Sequence, residues 1–201
     1  MFIARILYPV KVLGPGNRIG IWFDGCKHGC KGCSNPELWA FQDKYAVSLE
    51  NILNLVKSIS EKYDVDGFTI TGGDPFEQPL DLKRLLKELK NISDDVIVYT
   101  GYEYEFLKKE HVDILEEITV LIDGPYVEEK NDNCFMRGSS NQRIIILDSK
   151  YSDFYDEYLK NGINKIQNFT SQDGIISVGI HRVGYDRELD NKMQQMGLED
   201  C

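Results

Sequence analysis

Residues 24–39 read DGCKHGCKGCSNPELW and bring Cys26, Cys30 and Cys33 within one eight-residue span, interleaved with Gly25, Gly29 and Gly32. The stretch leaves RIGIWF (Arg18–Phe23), an apolar run that reads as a strand. A loop with the spacing C-x3-C-x2-C can wrap its thiolates around one soft metal centre, because glycine permits the tight turns and positive φ angles this demands. Thiolates select zinc, copper(I) or iron–sulfur centres. Three cysteines are one short of the usual set for a cubane cluster. A fourth ligand from elsewhere makes such a site structural, whereas a missing one leaves a metal open for chemistry, as in catalytic zinc sites. His28 completing a Cys3His zinc site and Cys134 supplying a fourth thiolate are the closed alternatives. Three unrelated buried cysteines fit poorly, since Lys27, His28 and Lys31 make the loop too polar for a core.

The rest of the chain alternates between the two apolar periods. Ser48 is placed to cap a helix carrying Leu49, Ile52, Leu53, Val56 and Ile59. GFTI (67–70) reads as a short buried strand ending in the turn TGGDP. Leu82, Leu85, Leu86 and Leu89 mark a second helix, VIVYT (96–100) a third strand, and Phe106, Leu107, Ile114 and Leu115 one further helix. TVLI (119–122) is the next strand and ends in DGP. Such alternation predicts right-handed crossovers and a mainly parallel sheet. Beyond residue 125 come a polar excursion and a strand RIIIL (143–147). KIQNF and IISVGI then flank SQDG like a hairpin, and a last helix lies around residues 187–196. With 201 residues and no repeat or linker, one domain over 1–201 is expected, with a core at about 12–147 and an extension at about 148–201.

Composition narrows the function classes. The net charge of −10 opposes binding to nucleic acid, whose phosphates it would repel. No apolar run is long enough for a membrane span, and MFIARILYPV lacks the parts of a secretory signal. Five cysteines, three of them clustered, do not form a disulfide framework and point to a reducing cytoplasm. There is no Ser/His/Asp set, no Walker loop and no GxGxxG turn.

The cysteine spacing is also the signature of the radical S-adenosylmethionine (SAM) enzymes. The wider text, GPGNRIGIWFDGC and GCSNPELW, resembles the small activating enzymes of glycyl radical enzymes, nearest to the activases of anaerobic ribonucleotide reductases. TGGDP (71–75), YTGYEYE (99–105), LIDGPYVEE (121–129) and RGSSNQR (137–143) follow in the matching order, so the resemblance covers roughly residues 12–145.

The resemblance implies an α/β fold, a partial, open (β/α) barrel with a C-terminal hairpin and helix. It implies that Cys26, Cys30 and Cys33 hold three irons of a 4Fe–4S cluster while SAM chelates the fourth. One electron through the cluster would then release a 5′-deoxyadenosyl radical, which takes a hydrogen from a glycine Cα of a partner. The cofactors carry that chemistry and the protein positions them. Gly72-Gly73-Asp74 stands where the family usually has Gly-Gly-Glu, a turn that binds the SAM amino group mainly through its backbone. The acid here is one methylene shorter. Gly32 and Thr100 join the implied SAM contacts. Asp123 does so near the SAM carboxylate, with a monovalent cation between them, or else only caps a turn before Gly124-Pro125. Arg137, Ser139, Ser140 and Asn141 form a polar cluster that contacts SAM or a partner peptide, or else a solvated loop. His181 lies beside the adenosine or is structural, and Cys134 and Cys201 are bystanders. The implied partners are a glycyl radical enzyme as protein substrate and flavodoxin or ferredoxin as electron donor. A short barrel leaves its lateral opening uncovered, which suits an inserted loop of a macromolecule. The competing readings are a radical SAM enzyme acting on a peptide or small molecule, and a non-catalytic metal-binding module.

Overall fold

Alternating burial along each strand decides the layering. Ile19, Ile21 and Phe23 point to one side of their strand and Trp22 to the other, and both sides are covered by chain. That double coverage explains why RIGIWF reads as a continuous apolar run. The structure is a computed structural model and describes residues 1–171 and 174–195.

Six strands form one sheet in chain order: β1 (Ile3–Val10), β2 (Arg18–Phe23), β3 (Gly67–Gly72), β4 (Val96–Tyr99), β5 (Val120–Asp123) and β6 (Arg143–Ile146). The four inner strands β2 to β5 run parallel, and β1 and β6 close the edges antiparallel. The helices α1 (Leu49–Ser60), α2 (Pro79–Leu89), α3 (Tyr104–Glu110) and α4 (Val112–Leu115) follow β2, β3 and β4. Ile52, Val56, Leu82, Leu85, Leu86 and Leu89 pack on one face of the sheet with Ile70, Val98 and Leu121. Ser48 caps α1 as expected, its hydroxyl accepting from the Asn51 amide at 3.2 Å. The opposite face holds α5 (Ser152–Asn161), whose Tyr155 packs with Ile97, Val120 and Ile122. The hairpin β7 (Ile166–Ser171) and β8 (Gly174–Gly179) forms a separate two-stranded sheet on that same face, followed by α6 (Tyr185–Gln195).

Three elements differ from the sequence expectation. β1 was not anticipated: its interior is only half buried, so IARILYPV carries no clean alternation. The helix expected over 106–115 is broken at His111, whose φ of −141° leaves the helical region, and Phe106 is exposed rather than buried. α5 was also missed, although Tyr151, Tyr155, Tyr158 and Leu159 have helical spacing. Among the described residues no helix is long and apolar enough to cross a membrane.

The end of the sheet away from the parallel strand tips is held by a buried ion pair. Arg18 is fully buried at the start of β2 and donates to the Asp95 carboxylate at 2.7 Å, to Thr69 Oγ1 at 2.9 Å and to the carbonyls of Pro15, Phe68 and Asp95. Tyr155 donates to the other Asp95 oxygen, which ties α5 to the sheet.

Candidate functional site

Because β2 to β5 are parallel, their C-terminal ends gather four loops on one edge of the sheet. These are the cysteine loop, the Gly72-Gly73-Asp74 turn, Thr100-Gly101-Tyr102 and the segment from Gly124. Ligands of open α/β sheets bind at such an edge.

The cysteine loop folds back on its own base through Gly25 N–H to the Leu38 carbonyl and Cys26 N–H to the Trp39 carbonyl, both at 2.9 Å. Gly25, Gly29 and Gly32 take φ values of 91°, 58° and 71°, the left-handed geometry inferred from the spacing. Burial pushes the Cys26 thiol up to about 11, against the backbone amides of His28 and Gly29, which favour the thiolate. Burial likewise raises Cys30, with the Tyr126 amide acting the other way. The Asn35 amide donates to Cys33 Sγ at 3.4 Å. A soft cation would displace the thiol protons, and amides aimed at sulfur would then stabilise the bound thiolates.

The turn after β3 fits against this loop with no room to spare. A Cβ on Gly72, whose φ is 112°, would lie 2.3 Å from the Phe23 carbonyl oxygen, and one on Gly73 would lie 2.4 Å from that of Gly25. The Gly73 and Asp74 amides donate to those same two carbonyls at 2.7 and 2.8 Å. Asp74 is almost fully buried, and its carboxylate accepts from four donors. The Phe76 amide reaches Oδ1 at 3.0 Å, the Gly101 amide reaches Oδ2 at 2.8 Å, and Thr100 Oγ1 lies within 3.0 Å of both oxygens. His28 Nε2, from the middle of the cysteine loop, donates to Oδ2 at 2.9 Å. The His28 ring is packed edge-on to Tyr102, and a Cβ on Gly101 would strike it. This hydrogen bond raises the His28 pKa against the opposing effect of burial.

Cys26, Cys30, Cys33, Gly32, Gly72, Gly73, Asp74 and Thr100 line one cavity of about 250 Å³. Among the described residues no three His, Cys, Asp or Glu side chains converge on a single metal ion. The three thiols instead share a cavity wall, and as a thiolate set they suit a multinuclear iron–sulfur centre. His28 is committed through Nε2 to Asp74 rather than turned to the thiols.

A family profile described as a 4Fe-4S single cluster domain matches residues 12–145. The anaerobic ribonucleoside-triphosphate reductase-activating protein of Haemophilus influenzae is 36% identical over 147 residues, 68% of this chain and 93% of that protein. The proteins of the same name from Enterobacteria phage T4 and Escherichia coli K12 are 32% and 30% identical, covering 69% and 68% of this chain and 90% and 94% of theirs. The chain belongs to the family of anaerobic ribonucleoside-triphosphate reductase-activating proteins.

Apart from His181, the other candidate residues of this activating-protein chain lie outside the cavity or brace it. Asp123 is buried but absent from the lining. Its carboxylate takes the Tyr104 amide at the start of α3 at 2.7 Å and the Arg143 guanidinium, whose other face pairs with Glu105. Arg143 in turn holds exposed Glu105 down to about 2. The cluster at 137–141 supports neighbouring loop backbone. Arg137 pairs with Asp132, buried Ser139 accepts from the Val127 amide, and Asn141 donates to the Pro125 carbonyl. The Ser140 amide donates to the Lys130 carbonyl. Cys134 is half buried and absent from the cavity lining, and Cys201 lies outside the described residues. His181 does line the cavity, stacked on Tyr185. Sequence reasoning missed Tyr126 and the stretch 176–180 as lining residues. The apolar run IISVGI was the visible signal for 176–180, while Tyr126 stood within LIDGPYVEE.

Proposed function

We propose that this chain is a radical SAM activase that installs a glycyl radical on a partner enzyme, an anaerobic ribonucleotide reductase. The observation that carries the reading is the meeting of three thiols and the Gly72-Gly73 turn in one cavity at the C-terminal edge of four parallel strands. On this reading the six-stranded sheet is the core of an open, partial (β/α) barrel, and the protein works in the reducing cytoplasm with flavodoxin or ferredoxin as electron donor.

Cys26, Cys30 and Cys33 would hold a 4Fe–4S cluster through three irons. When bound, the cluster and SAM supply one-electron cleavage of the sulfonium and the means of taking a hydrogen from a glycine Cα. The residues of the chain do the positioning. The amides of Gly73 and Asp74 are already donated to Phe23 and Gly25, so a ligand ammonium would meet main-chain carbonyl oxygens of the turn. The Asp74 carboxylate acts behind the turn, holding it against His28 and Thr100. Arg143 already neutralises Asp123, so the reading assigns no cation there.

The test is anaerobic reconstitution with iron and sulfide, reduction with dithionite and incubation with SAM. Formation of 5′-deoxyadenosine at about four irons per chain is expected. Zinc in place of iron, or a cluster inert toward SAM, would overturn the reading.

A further inference from the structure

The part of the chain beyond the family match builds one side of the cavity. That match ends at residue 145, before β7 begins, and 68% of the chain aligns with the Haemophilus relative. Yet residues 176–184, from β8 and the turn after it, line the same cavity as the three cysteines and the Gly72-Gly73 turn.

This segment is anchored on three sides. Val178 is buried with Val10, Leu13, Trp22 and Leu38, and Ile176 and Ile180 pack beside it. Gln167 of β7 docks on the end of β1, accepting from the Lys11 amide at 2.9 Å and donating to the Pro9 carbonyl at 2.7 Å. Asn131 donates to the His181 carbonyl at 3.0 Å and to the Tyr126 hydroxyl at 3.1 Å. The Asn131 backbone amide also donates to the Glu128 carbonyl at 3.0 Å, and the Glu128 carboxylate pairs with Lys31 of the cysteine loop at 2.9 Å. A path of direct contacts therefore joins the hairpin to the cysteine loop. Residues 176–184 thus form part of the cavity's own lining.

Resting on the radical SAM reading, we propose that the β7–β8 hairpin and the turn at 180–184 are a resident wall that encloses the small-molecule ligand. This chain then holds SAM without a partner protein to complete the site. Ile176, Val178 and Ile180 give the wall an apolar edge that keeps water from the reacting group, as enclosed ligand sites require.

Hydrogen exchange on the full-length, cluster-loaded protein, with and without SAM and with no partner present, tests this. Slowed exchange at both the 72–74 turn and residues 175–184 is the expected result. Slowing at 72–74 alone overturns the wall and leaves the activase reading standing. No slowing at either place overturns both. As a second measurement, the double variant Ile176→Ala/Ile180→Ala should weaken SAM binding in equilibrium dialysis roughly tenfold, with its iron content unchanged. An unchanged dissociation constant would refute the wall.

Discussion

His28 Nε2 lies 2.9 Å from Asp74 Oδ2, and this one contact fastens the middle of the cysteine loop to the turn that follows β3. The two sequence motifs, 46 positions apart, thus act as a single unit. Asp74→Asn replaces an acceptor oxygen with an amide that faces donors already in place. It should cost about 2 kcal/mol in urea unfolding. An unfolding midpoint equal to wild type would show that the carboxylate is not the tie described here.

Gly72→Ala and Gly29→Ala form a matched pair. A methyl on Gly72 meets the Phe23 backbone, while one on Gly29 meets nothing within 4 Å and suffers only the left-handed φ of 58°. Gly29→Ala should lose about 1–2 kcal/mol. Gly72→Ala should lose more than about 3 kcal/mol or fail to fold, since the overlap is with backbone that cannot rotate away. Similar losses for both would mean that close approach does not set the requirement at Gly72.

Cys30→Ala should abolish the visible iron–sulfur absorption and SAM cleavage while the far-UV circular dichroism stays as in wild type. Retained cleavage would remove Cys30 from the ligand set.

Arg18→Met should destabilise by about 3–5 kcal/mol, because it leaves the buried Asp95 carboxylate without its counter-charge. Tyr155→Phe removes one neutral donor from the same carboxylate and should cost about 1–2 kcal/mol. The two values, read from urea unfolding, should rank in that order, and a reversal would contradict the charge argument.

Asp123→Ala frees Arg143 and uncaps α3 at Tyr104. Lower thermal stability with an unchanged SAM requirement is expected. A raised SAM requirement at full stability would instead put this carboxylate at the ligand. Glu105 adds a pH signature. Its folded pKa is held down to about 2 from 4.5, so its contribution is present above 4.5 and is lost as pH falls toward 2. Glu105→Gln should therefore flatten that acid limb of the stability curve.

Local chemistry and period made much of this molecule legible. Glycines between thiols had to take positive φ, and they do at Gly25, Gly29 and Gly32. Leu82, Leu85, Leu86 and Leu89 had to share a helix face, and all four are buried. The order of strands and helices from β2 to β5 followed from the same periodicity, apart from the break at His111. What the sequence could not decide was where long-range partners would fall. Asp74 was legible as a turn residue, but three of its four donors, His28, Thr100 and Gly101, come from two other loops that only the parallel sheet brings beside it. Arg18 read as a strand's polar first residue, and only folding set Asp95 and Tyr155 around it. Asp123 was drawn to Arg143 and away from the cavity, because antiparallel β6 sets Arg143 opposite it in register. The hairpin was visible as a hairpin, yet its place as a cavity wall depended on Val178 and Gln167 meeting β1 and β2 from the far end of the chain. Periodicity reports which face of an element is apolar; which surface that face will cover is settled by packing between distant segments.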